Sequence, residues 1–169
     1  MSAVLRALMI VVASVFGGVA SGAEATSALS CRTDTVEAVG YVICSIDLGT
    51  ARPRLFWKNA DGQPYRTFAN VAQAVAAEGK TLTFAMNAGM YADDFTPMGL
   101  HVEDGKELRP ANRIEMRPSA GIVPNFYKKP NGVFFLDERG GGILPTDVFL
   151  KRRVKAAFAT QSGPMLVMD

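Results

Sequence analysis

Three short stretches of this chain carry side chains suited to binding or cleaving a polar substrate. The first is Phe84-Ala85-Met86-Asn87-Ala88-Gly89-Met90-Tyr91, followed by Asp93, Asp94, Pro97 and Gly99. A strand ending on Asn87 presents an amide that both donates and accepts hydrogen bonds. Gly89 lets the backbone turn tightly beside it, and Asp93 and Asp94 add carboxylates. On spacing alone, an Asx-type turn with two solvated acids is the better description. The second stretch is Lys129-Pro130-Asn131-Gly132-Val133-Phe134-Phe135, where Asn-Gly before an apolar strand is also ordinary turn chemistry. The third is Ala159-Thr160-Gln161-Ser162-Gly163-Pro164-Met165-Leu166-Val167. Here a strand ends in three hydrogen-bonding side chains, which suit sugar hydroxyls or phosphate oxygens and equally an edge turn.

Other chemistries lack their parts. Gly140 to Gly142 has neither the Lys nor the Ser/Thr of a phosphate-cradling loop. There is no Gly-x-Ser-x-Gly elbow. The single histidine, His101, falls inside an apparent strand. A Ser–His–acid triad would have to use it, and exposure on a polar strand face is the commoner role. With one histidine and no second cysteine pair, a zinc site is not expected. Asp93, Asp94, Glu103 and Asp104 lack the loop spacing of an oxygen-ligand calcium site. No metal or cofactor is therefore expected.

The amino-terminal segment reads as an export signal. Arg6 is the only charge before Glu24, Leu8 to Val19 is apolar apart from Ser14 and two glycines, and Ala23-Glu24-Ala25 offers small residues for cleavage. Residues 1–25 are thus expected to be removed, leaving a domain from Thr26 to Asp169. A membrane anchor is the weaker reading, because the run from Ala7 to Ala20 falls short of the roughly 20 residues that span a bilayer. A lipoprotein acylated at Cys31 is weaker still, since Ala28-Leu29-Ser30 is a poor lipobox. Export favours a Cys31–Cys44 disulfide over two buried thiols. It would close a loop of about 14 residues and stabilise the domain by about 3 kcal/mol on a chain-entropy argument. The net charge of +2 and the short Lys151-Arg152-Arg153 cluster argue against nucleic acid.

The elements that must position these groups read as α+β. After a polar leader to Ser30, Val39–Leu48 is a strand and Arg54–Lys58 its continuation or partner. Asn59-Ala60-Asp61-Gly62 is a turn. Phe68, Val71, Ala72, Val75 and Ala76 recur at helical spacing, with Gly79 as the stop. Thr81–Met86 is a short strand. Gly99–Glu103 and Lys106–Leu108 form a hairpin through Asp104-Gly105. Arg109–Pro130 is a long loop, of a length that is either functional or floppy. Val133–Leu136 is a strand, Gly140–Gly142 a turn, and Pro145–Arg153 a helix with Thr146 as N-cap. Ala156–Ala159 and Met165–Met168 are strands. An apolar strand running to Asp169 without a following element reads as an incomplete single domain.

Taken together and in order, the segments 84–100, 129–135 and 159–167 resemble the bacterial branch of the phosphodiester glycosidase family. That family includes the mammalian N-acetylglucosamine-1-phosphodiester uncovering enzyme. The likeness spans about Val39 to Asp169. It implies a mixed-sheet α/β-type domain that hydrolyses a sugar 1-phosphodiester to free sugar and phosphomonoester. Carried over by motif, it implies Asp94 and Asn87 as catalytic and Gly89, Asn131, Thr160, Gln161 and Ser162 as substrate-binding. A carboxylate such as Asp94 would serve a transition state positively charged at the anomeric carbon. Asn87, Gln161 and Ser162 would hold phosphate oxygens. His101 departs from the tyrosine usual at that position. Family members also continue beyond Met165–Asp169, so the chain is expected to be the amino-terminal part of such a domain. Open strand edges would then invite aggregation or pairing with another chain, such as a second copy, and this chain alone is expected to be unstable or inactive. A carbohydrate-binding or interaction module retaining half of the fold is the alternative.

Overall fold

The computed structural model describes residues 27–116 and 121–168. The expected signal segment, residues 1–25, lies outside them. Among the described residues two sheets and two α-helices make up an α+β domain. The first sheet is an antiparallel hairpin of β1 (Leu29–Val36) and β2 (Val39–Ile46). Cys31 and Cys44 are direct partners in its ladder and are joined by a disulfide. β1 begins at the end of the expected polar leader and covers residues 31–36, for which the sequence predicts no element, and it supplies the partner expected from Arg54–Lys58. The sequence of β1 hides it: both faces are largely exposed, so no alternation of polar and apolar residues marks the strand. Arg54–Lys58 makes only an isolated bridge, Lys58 to Pro64, around the Asn59–Gly62 turn. There Asn59 Oδ1 accepts from the backbone of Asp61 and Gln63.

Helix α1 (Phe68–Ala77) starts where Thr67 accepts a hydrogen bond from the Asn70 amide at 3.2 Å and stops at Gly79, whose φ of 72° suits glycine. Arg54 spans the chain to grip Glu78, at the end of this helix, through two bonds of 2.8 and 3.1 Å.

The second sheet contains β3 (His101–Glu103), β4 (Lys106–Arg109), β5 (Gly132–Asp137), β6 (Gly140–Pro145) and β7 (Phe158–Ser162), in the order β4-β3-β7-β5-β6. Every pairing in both sheets is antiparallel, so helix and sheet are mixed here but strand directions are not. β3 and β4 are joined at Asp104 and Gly105, both at positive φ, as the Asp-Gly signal requires. β5 and β6 turn at Glu138-Arg139 instead of at the three glycines. Gly140–Gly142 lie within β6: Gly140 takes a φ of 138° with open space around it, and neighbouring side chains fill the space above Gly141 and Gly142. A Cβ at Gly142 would meet the Phe135 ring at 2.7 Å, and one at Gly141 would meet Leu48 at 3.0 Å.

Register sorts the sheet into two faces. Val102, Val133 and Ala159 share the face that packs with Leu100 and with Phe149 of helix α2 (Thr146–Arg152). His101, Phe134 and Thr160 share the other face, where Trp57 meets the His101 ring edge-on at 6.0 Å. His101 is only 5% exposed and bonds Glu103 at 2.7 Å, so it is a buried residue and not the exposed one expected.

Three further expectations are corrected. Thr81–Met86 is not a strand: among the described residues its backbone bonds to no other segment. Met165–Met168 is not a strand either, and Leu166 and Val167 are exposed. Ala156–Ala159 is shifted, β7 beginning at Phe158 and running on through Ser162. Thr160 and Gln161 are therefore inside the central strand and not beyond its end.

Candidate functional site

β7 lies between β3 and β5, so its side chains are held from both sides. Gln161 points into the core-side layer and is 1% exposed. Its Oε1 accepts from the Leu100 amide at 3.1 Å and the Asn112 amide at 2.9 Å. Its Nε2 donates to the Asn112 carbonyl at 2.8 Å and to Thr146 Oγ1 at 3.3 Å. A glutamine amide offers two donors and two acceptor positions, and here all four are used within the protein. Gln161 is thus a clasp that shapes the site and has no capacity left for a ligand. Thr146 extends the network. Its hydroxyl and its backbone N–H both donate to the Asn131 carbonyl, at 3.0 and 2.9 Å. That is why Thr146 is the first residue of α2 and not its cap: its hydroxyl is engaged elsewhere.

Asn131 is 2% exposed. Its Nδ2 donates to the Phe126 carbonyl at 2.7 Å, while its buried Oδ1 has no partner among the described residues. Beside it opens a cavity of about 240 Å³, lined by Asn112, Arg113, Glu115, Lys129, Asn131 and Thr146 together with Asp147 and two prolines. Burial lowers the pKa of Lys129 there.

The glycines of the motifs are sites of close approach. A Cβ at Gly89 would strike Thr160 Oγ1 and lie 2.7 Å from the Gln161 carbonyl. One at Gly99 would collide with the Gln161 amide, and one at Gly163 would come within 2.9 Å of the Asn131 amide. Through these approaches the structure brings together Gly89, Asn131, Thr160 and Gln161, one or more from each of the three stretches. Ser162 follows at the end of β7, paired with Gly132.

Asn87 and Asp94 sit apart from this node: both are exposed and neither lines the cavity. Asp94 accepts from the Thr96 amide and the Thr96 hydroxyl, each at 2.9 Å. These bonds hold its carboxyl below the ordinary range, so it is ionised at neutral pH. Among the described residues no cluster of three or more His, Cys, Asp or Glu could hold a metal ion.

Sequence reasoning did not single out Asn112, Arg113, Lys129 or Thr146 as site residues. The signal was the unusual length of the Arg109–Pro130 loop, which holds the first three.

No family model matches the chain, and no solved structure matches it. Among curated proteins it is similar to the uncharacterized protein YigE of Escherichia coli (strain K12), with 31% identity over 140 residues. The match covers 83% of this chain and 50% of that protein. The chain therefore spans about half the length of the curated relative it matches.

The cross-strand disulfide is compatible with an exported protein. No helix among the described residues is long and apolar enough to cross a membrane.

Proposed function

We propose that this chain is part of an exported, periplasmic or secreted phosphodiester glycosidase that hydrolyses a sugar 1-phosphodiester. One observation carries the reading. The three stretches that resemble that family, far apart in sequence, meet at a single buried polar node beside a cavity of about 240 Å³.

In the reaction, the bond from the anomeric carbon to the phosphate oxygen breaks and its electron pair leaves with the phosphomonoester. Water supplies the new oxygen at that carbon and releases a proton. Positive charge accumulates at the anomeric carbon meanwhile. By resemblance Asp94 is the carboxylate for that charge, although it does not line the cavity in this structure; its bonds from Thr96 leave it unsuited to proton donation, and the Asp94→Asn variant decides whether it acts. Asn131 and Ser162 suit contacts to substrate oxygens. Gln161, with all four hydrogen-bonding positions taken, serves by holding the node together.

The test is hydrolysis of a chromogenic N-acetylglucosamine 1-phosphodiester by the purified chain, alone and extended with the part of the relative that lies outside the match. Turnover is expected of the extended form, with a loss of about 100-fold or more in Asp94→Asn. Full turnover in that variant would remove Asp94 from the mechanism.

A second reading is a non-catalytic carbohydrate-binding or interaction module. The exposure of Asp94 and its capture in a local turn favour it. Sugar binding without turnover in either form of the protein would select it. β4 and β6 are the outer strands of the larger sheet, and their edges are the places for a second copy to add. Dimers in solution that an edge proline abolishes would identify that interface.

A further inference from the structure

The cavity beside Asn131 holds two cations in different circumstances. Arg113 is already paired, its Nε 3.0 Å from Asp147 Oδ1, and both side chains are largely exposed. Lys129 is half-buried and has no carboxylate within 4.0 Å among the described residues. Its ammonium lies 5.9 Å from the centre of the Phe126 ring, which is itself buried. An ammonium taken partly out of water without a counter-ion loses hydration and gains little in return. The lowered pKa of Lys129 has this cause, offset in part by the more distant Glu115 and Asp147.

Asn131 presents the opposite deficit two residues along. Its Nδ2 is committed to the Phe126 carbonyl, and its buried Oδ1 lacks a donor. Both residues line the same cavity. A desolvated cation needs an anionic oxygen, and an orphaned amide oxygen needs a hydroxyl or N–H. A molecule offering both an anion and a hydroxyl would satisfy the two at once, whereas an inorganic anion would satisfy only the first.

We propose that Lys129 is the contact for the phosphate of a sugar 1-phosphodiester, while Asn131 Oδ1 accepts a hydrogen bond from a sugar hydroxyl of the same molecule. This assignment rests on the glycosidase reading above. It adds the direction in which substrate lies in the cavity, phosphate toward Lys129 and sugar toward Asn131. It also gives Lys129 a role separate from that of Arg113, whose charge Asp147 already neutralises.

Calorimetric titration of the full chain and of its Lys129→Met and Lys129→Arg variants tests this. Three probes are used: the methyl phosphodiester of N-acetylglucosamine 1-phosphate, free N-acetylglucosamine, and inorganic phosphate. Lys129→Met is expected to bind the diester about tenfold or more weakly, the worth of one charge-assisted contact, with free-sugar affinity unchanged. Lys129→Arg should recover part of the loss, and the salt dependence of diester binding should shrink in Lys129→Met. Equal diester affinity in wild type and Lys129→Met overturns the role of Lys129 and leaves the glycosidase reading standing. Parallel loss of sugar and diester binding with a lowered thermal midpoint marks Lys129 as structural and also overturns it. A wild-type chain that binds phosphate but neither sugar nor diester overturns both readings.

Discussion

Replacing Gln161 with leucine should cost about 5 kcal/mol of stability, and the structure supplies the reasons. Leucine is close to glutamine in size, so the substitution removes the amide while leaving most of the volume. Three backbone groups then lose their partner: the Leu100 and Asn112 amides and the Asn112 carbonyl. An orphaned buried group costs about 1–3 kcal/mol. The Leu100 amide is fully buried and belongs at the upper end of that range. Asn112 is partly buried and regains water, which places its two groups at the lower end. The lost bond to Thr146 adds little, because that hydroxyl keeps its bond to the Asn131 carbonyl. Against a total of about 5–15 kcal/mol for a typical domain, the loss is large. Urea unfolding followed by circular dichroism reads it as a lower midpoint at constant slope. Amide hydrogen exchange should speed up at Leu100 and Asn112 before it does in β5. A stability change below about 0.5 kcal/mol, the size usual for surface substitutions, would refute the view of Gln161 as the clasp of this node.

Gly89→Ala should destabilise by about 1–3 kcal/mol, the range for overpacking, whereas Gly40→Ala, with open space around it, should be near neutral. Adding Thr160→Ala to Gly89→Ala should not restore the wild-type midpoint, because the new Cβ also meets the Gln161 carbonyl at 2.7 Å; full rescue would show that backbone crowding is irrelevant. The Glu78 carboxyl is lowered to about 2 by its bonds from Arg54 and Lys80. Its folded pKa lies below the unfolded value, so its contribution is present above about 4.5 and fades as pH falls toward 2. Acid titration of the thermal midpoint should therefore fall less steeply in Glu78→Gln than in wild type across that window; identical slopes would contradict the pairing.

The sequence was most legible where a few adjacent residues settle the backbone. Thr67 and Gly79 bracket α1 because a hydroxyl and a positive-φ glycine act on the turn they adjoin. Asp104-Gly105 makes its hairpin for the same local reason. It failed where local chemistry had two uses. The glycines of β6 look like a turn until the Phe135 ring and Leu48 occupy the space a side chain would need at Gly141 and Gly142. The β1–β2 turn at Glu37-Ala38 takes positive φ at both residues without a glycine, so no turn signal marks it. There the pairing is secured by the ladder and the Cys31–Cys44 bridge.

By itself, then, the sequence determined the α+β class, the one strong helix, the cysteine pairing and the three stretches that meet at the polar node. Only the tertiary structure decided that Gln161 is consumed by the protein, that Asn131 is left with a free acceptor, and that Asp94 stands apart from both. Gln161 bonds to residues 61, 49 and 15 positions away. Local preference acts over a few residues of backbone. The satisfaction of a buried amide depends on whichever distant groups the packed sheet brings within 3 Å or so of it, a distance set by hydrogen-bond geometry, and no periodicity or spacing along the chain encodes that.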